Sequence, residues 1–96
     1  MKLLCVDSEL VYREIISLCA QEKKLDVQTA ATYKEAMEAF IEYEPDIVTL
    51  DVVIKGGNVF DLVKEFKVIA GNRLVPIIFV ASNTSDLMMD RCFLIG

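Results

Sequence analysis

Two acidic positions in this chain are placed where carboxylates could do chemistry: Asp7, with Glu9 close behind it in MKLLCVDSE, and Asp51 in PDIVTLDVVIKGGNVFDL. Each ends a short apolar run. Asp51 comes directly after Ile47, Val48 and Leu50 and before the Lys55-Gly56-Gly57-Asn58 loop, where a buried strand would surface at the edge of a sheet. Taken alone it has two readings, a cap on the loop that follows or a reactive group. Should the fold bring Asp7 to the same edge, the like charges would oppose each other's ionisation unless a cation shares them, and hard oxygen ligands favour Mg²⁺. A carboxylate beside such a metal can also act as a nucleophile toward phosphorus.

Composition removes many alternatives. The chain has no histidine, which excludes Ser-His and Cys-His nucleophile pairs within it. Its three cysteines, Cys5, Cys19 and Cys92, are odd in number and widely spaced, so they read as reduced and mostly buried small apolar residues, with no zinc set to join. A net charge of -5 without a basic cluster argues against direct contact with nucleic acid. Hydrophobic residues make up 54% of the chain, yet no apolar run approaches the ~20 residues of a membrane span. The amino terminus turns acidic at Asp7 and has no small-residue cleavage pattern, so it does not read as a signal peptide; a cytoplasmic protein is the expectation. Ninety-six residues form one domain, 1–96, with an adequate core.

Four strand and helix pairs position the carboxylates. Lys2 to Val6 is a continuous apolar run suited to a strand buried on both faces. From Ser8 to about Lys24, Val11, Ile15, Leu18 and Cys19 follow helical spacing, with acid at the start and Lys23-Lys24 at the end to match the helix dipole. Asp26 to Ala30 alternates like a half-buried edge strand, and Thr32 to Glu35 reads as a capping box opening a helix that Glu44-Pro45 stops. Asp46 to Leu50 is the third strand, followed by a helix from Asn58 through Phe66 with a left-handed exit at Gly71-Asn72. Pro76 opens a fourth strand, Ile77 to Ala81, and Asp86 to Ile95 reads as a last helix. Such alternation predicts a doubly wound parallel sheet, with function at the carboxyl ends of the strands. Asp7-Ser8-Glu9, Asp51 to Gly57 and Ala81 to Ser85 fall there.

In order and in motif the whole chain resembles the receiver domain of bacterial two-component response regulators. LLCVDSE looks like that family's first strand with its acidic pair, and Asp51, 44 residues after Asp7, resembles its phosphoacceptor. Gly56 and Phe60 match the glycine and the aromatic of the family's loop, and Pro76-Ile77-Ile78 resembles the strand leading to its switch hydroxyl. The resemblance implies a flavodoxin-like α/β fold of four βα units in strand order 2-1-3-4, lacking the fifth strand and helix. It also implies phosphotransfer to Asp51 from a sensor histidine kinase or phosphotransfer protein, with Mg²⁺ held by Asp7, Asp51, the backbone carbonyl of Val53 and, as a further candidate, Glu9. No catalysis beyond self-phosphorylation and self-dephosphorylation is expected.

Several positions depart from the family's pattern. Ser8 stands at the second position of the acidic pair, where a carboxylate is usual, and Lys55 stands where proline is usual. Lys55 offers a cation to the site or a solvated loop residue. Val59 replaces a glycine, so either the loop geometry differs or the helix begins earlier. Ala81, 30 residues after Asp51, has no switch hydroxyl; Ser82 is adjacent, but a one-residue shift turns a side chain to the other face. The family's lysine would follow Gly96. An exposed fourth strand, Ile77 to Val80, predicts a homodimer formed through that strand and the apolar C-terminal segment, residues 86–95, as helix or exchanged strand. A second functional reading follows from the departures: a degenerate receiver that serves as a dimerisation or docking module without phosphorylation.

Overall fold

The structure, a computed structural model, describes residues 1–80. Strands and helices alternate without exception: β1 (Lys2–Val6), α1 (Leu10–Glu22), β2 (Asp26–Ala30), α2 (Tyr33–Tyr43), β3 (Ile47–Asp51), α3 (Val59–Ala70) and β4 (Ile77–Val80). All strand pairs are parallel, in the order β2-β1-β3-β4. The fold class and strand order read from the sequence are therefore found. Ala81, Ser82 and the segment 86–95 lie outside the described residues.

Alternation along each strand divides the sheet into two faces. Leu4, Val6, Val48 and Leu50 point to one side, where Ala36, Ala39 and Phe40 of α2 and Val59, Leu62, Val63 and Phe66 of α3 close over them in a single cluster. The Phe40 and Phe66 rings stack with centroids 4.1 Å apart. Ile77 and Phe79 pack against this cluster from β4. Leu3 and Cys5 are buried on the opposite side, over which α1 lies against β1 and β2.

Local chemistry sets the helix ends. The Thr32 hydroxyl accepts the Glu35 amide at 3.2 Å, as the capping-box reading expects, and also donates to the Glu35 carboxylate at 3.2 Å. Asn58 Oδ1 accepts the amides of Phe60 (2.8 Å) and Asp61 (3.3 Å), so α3 starts at Val59. Val59, where the family has glycine, is the first residue of this helix and has no positive φ. Gly71 ends α3 with a φ of 62°. At the other end of the sheet, Lys2 Nζ donates to the Tyr43 carbonyl at 2.7 Å and Arg73 to the Pro45 carbonyl at 2.9 Å, placing cations on the carboxyl-terminal end of α2.

The first helix departs from its expected orientation. Val11, Ile15 and Leu18 are 63%, 50% and 62% exposed, and Cys19 is exposed as well. The stripe facing the sheet is Arg13, Ile16, Ser17 and Ala20, of which Ala20 is fully buried. The apolar spacing allowed a helix rotated by one position, and the small Ala20 permits the closer approach to β1 and β2. The charges expected to match the dipole flank α1 rather than occupy its end turns, with Glu9 at the N-cap and Lys23 at the C-cap.

Candidate functional site

Register brings the two carboxylates together. Val6 of β1 lies opposite Leu50 of β3, so Asp7 and Asp51 each follow a registered pair at the carboxyl end of the sheet, on the face that carries Cys5 and Thr49. β3 runs one residue further than Asp46–Leu50, the range expected for it, and Asp51 is its last residue.

Asp7 is fixed from three directions. Its amide donates to the Ala30 carbonyl at 3.0 Å, its carbonyl accepts the Arg13 guanidinium at 2.7 Å, and its Oδ1 accepts the Glu9 amide at 2.9 Å. Only 3% of its surface is exposed, and it is the one buried charged residue among those described. Asp51 is half-buried and its Oδ1 accepts the Val53 amide at 3.1 Å. The loop-cap reading of Asp51 thus describes one of its two oxygens correctly without excluding a further role.

Burial raises the Asp51 carboxyl above the usual carboxylate range, the Val53 amide works against this, and the hydrogen-bonded Asp7 carboxyl and the charge of Glu9 push it further up. Two carboxyls on neighbouring strand ends, one raising the other, are the situation in which a shared cation relieves the repulsion. Beneath them, burial raises the Cys5 thiol; it faces the Thr49 hydroxyl, whose buried oxygen has no fully formed hydrogen bond.

The remaining predicted positions are placed as follows. Glu9 is exposed, and its charge is one of those that raise the Asp51 carboxyl. Ser8 is half-buried beside Asp7. Val53 is 62% exposed, with its amide turned to Asp51. Lys55 is exposed and makes no ion pair with Asp51; its backbone carbonyl is what the fold uses, accepting the Tyr33 amide at 2.9 Å. Arg13 and Tyr33 are the residues that reading the sequence missed. Arg13 carried a signal in its position one turn into the helix that follows the acidic stretch, whereas nothing near Tyr33 in sequence points to residues 55–57.

Known proteins share this sequence pattern and this fold. The response regulator receiver domain matches residues 3–96. Over 88 residues the chain is 30% identical to protein-glutamate methylesterase/protein-glutamine glutaminase 2 of Paramagnetospirillum magneticum, covering 90% of this chain and 24% of that protein. Over 90 residues it is 28% identical to the two-component response regulator ORR3 of Oryza sativa subsp. indica, covering 93% of this chain and 69% of that one. The chain thus spans less than a quarter of the length of the methylesterase relative. Among solved structures, chemotaxis protein CheY4 of Vibrio cholerae superposes with a TM-score of 0.86 at 25% identity, over 99% of this chain and 79% of that one. The BeF3-activated N-terminal receiver domain of RstA from Klebsiella pneumoniae has the same fold, with a TM-score of 0.87 at 22% identity over 100% and 80% of the two chains. With a match over almost its whole length, the chain belongs to the response regulator receiver domain family.

Proposed function

We propose that Asp51 accepts a phosphoryl group from the phosphohistidine of a sensor kinase or phosphotransfer protein, and that Asp7, Asp51 and the backbone carbonyl of Val53 would hold Mg²⁺ beside it. The observation that carries this reading is the register that sets Asp7 and Asp51 side by side at the carboxyl ends of the paired strands β1 and β3, where burial raises the Asp51 carboxyl. Two hard oxygen ligands whose charges oppose each other are a donor set that a divalent cation fits. When bound, Mg²⁺ would neutralise charge on the transferred group and let both carboxylates ionise.

The chain's own residues do the rest. The Val53 amide, on Oδ1, fixes the plane of the Asp51 carboxylate. An Asp51 oxygen attacks phosphorus, a P–O bond forms as the P–N bond to the donor imidazole breaks, and that nitrogen takes up a proton. Asp7 is held in place beside Asp51 by the Glu9 amide on its Oδ1 and by Arg13 on its carbonyl. With Ser8 in place of a carboxylate, the site has one charge fewer than its acidic partners elsewhere in the family, and cation binding is correspondingly weaker.

Incubation with Mg²⁺ and phosphoramidate, followed by intact-mass measurement, tests the reading. One phosphoryl adduct is expected, lost in Asp51→Asn. Absence of any adduct at saturating donor and Mg²⁺ overturns it and leaves a receiver used for docking alone.

A further inference from the structure

Tyr33 straps the loop between β3 and α3 onto the start of α2. We infer that it is the positioning residue that holds this loop, and with it the Val53 carbonyl, in the cation-binding arrangement. The ligand named here rests on the proposed function; the strap itself does not.

Three independent contacts converge on this one side chain and its backbone. The Tyr33 amide donates to the Lys55 carbonyl at 2.9 Å, within an isolated parallel bridge between Thr32 and Lys55. The ring packs against Gly57, where a Cβ would sit 2.4 Å from Tyr33 Cδ2 and 2.8 Å from Cγ, while a Cβ on Gly56 would sit 3.6 Å from Tyr33 Cβ. The phenol reaches past the loop to donate to Glu65 of α3 at 2.5 Å, and that hydrogen bond is the main reason its pKa is pushed up to about 12. Tyr33 therefore touches the loop at its backbone, across its two glycines and on the helix that follows.

Why this matters for the site follows from how the loop is held. At its near end, the Val53 amide is tied to Asp51; at its far end the described tie is the Lys55 carbonyl on Tyr33. Ile54 is all that separates the two anchored residues. Loss of the far anchor leaves the exposed Val53 between its own hydrogen bond to Asp51 and the packing of Ile54 on the core, with its peptide plane less firmly fixed. Gly57 is needed because any side chain there would occupy the space of the ring, and Gly56, with a φ of 91°, turns the chain beneath it. The device joins α2, the loop and α3 at the one place where a backbone carbonyl is required beside two carboxylates. Outer contacts of this kind orient metal ligands without touching the metal.

The test uses Tyr33→Ala and the conservative Tyr33→Phe, which keeps the ring on Gly57 and loses only the phenol. Residue 33 is the first of α2, so its amide has no partner inside the helix and its hydrogen exchange, read by NMR without metal, reports the bridge to Lys55 alone. Tyr33→Ala is expected to speed that exchange and to weaken Mg²⁺ binding, measured by calorimetry, by about tenfold. Tyr33→Phe is expected to restore Mg²⁺ affinity to within about twofold of the parent, since the ring and the bridge remain. Unchanged exchange at residue 33 and unchanged Mg²⁺ affinity in a folded Tyr33→Ala overturn the inference. If that variant does not fold, Tyr33→Leu, which keeps bulk without a planar ring, is read in its place by the same two measurements. A parent protein that binds no Mg²⁺ removes the proposed function, while the exchange comparison alone still decides whether Tyr33 holds the loop.

Discussion

The two faces of the sheet are built on different principles. Against α2 and α3 the sheet is sealed: Leu4, Val6, Val48, Leu50, Phe40 and Phe66 are almost wholly buried, and the Phe40–Phe66 stack spans the two helices. Against α1 it is only partly covered, since α1 lies over β1 and β2, and on β4 Ile78 is 49% exposed among the described residues. The unsealed face is also the one whose strand alternation leads through Cys5 and Thr49 to Asp7 and Asp51. Apolar burial on one side supplies the stability that lets opposed carboxylates be held together on the other.

The two faces are told apart most directly by altering one inward-facing side chain on each. Phe66→Ala is expected to destabilise the chain by about 3 to 5 kcal/mol, read by urea unfolding, because it empties the centre of the sealed cluster. A cost under about 1 kcal/mol would mean that the cluster is not where the stability resides. On the α1 side, Thr49→Val removes a buried hydroxyl lacking a fully formed hydrogen bond and keeps the shape; it is expected to be stabilising by up to roughly 1 kcal/mol.

The carboxylate pair sharpens the contrast through pH. The folded Asp51 carboxyl is raised above its unfolded value, so the neutral form is favoured on folding. Its contribution is fully present below the unfolded carboxylate range and lost as pH rises through the folded value. Without metal, Asp51→Asn is therefore expected to raise the urea midpoint at pH 7 with an unchanged m-value, and the gain should shrink as pH falls through the carboxylate range. Mg²⁺ in excess is expected to narrow the same gap by stabilising only the parent. A gain that persists unchanged at acidic pH would show that ionisation of Asp51 is not its source. Smallest of all should be Leu18→Ala on α1: the side chain is 62% exposed, and a change within about 0.5 kcal/mol is expected in urea unfolding. A loss comparable to that of Phe66→Ala would mean that the α1 side is sealed after all.

The fold was legible in the sequence because its signals are local. Short apolar runs, the Thr32 and Asn58 caps and the Gly71 exit each act within a few residues, and their alternation leaves a parallel sheet with right-handed crossovers as the consistent arrangement. The site was legible as two carboxylates at strand ends, for the same reason. Orientation of α1 was not. With Leu10, Val11, Tyr12, Ile15, Ile16 and Leu18 distributed around it, the helix is apolar on more than one side, and periodicity does not choose between them. Close approach at Ala20 and the reach of Arg13 to Asp7 made the choice.

By itself, then, the sequence determined the order of elements, the strand on which each carboxylate stands and the turn that follows each one. It took the packing of whole elements to bring Asp7 and Asp51 to adjacent strand ends, to set the Lys55 carbonyl on the Tyr33 amide, and to lay Tyr33 across to the glycines at 56 and 57. The physical reason is distance along the chain. Caps and alternation are fixed by neighbours, whereas strand register and a ring lying on a loop more than twenty residues away depend on how whole elements pack against one another.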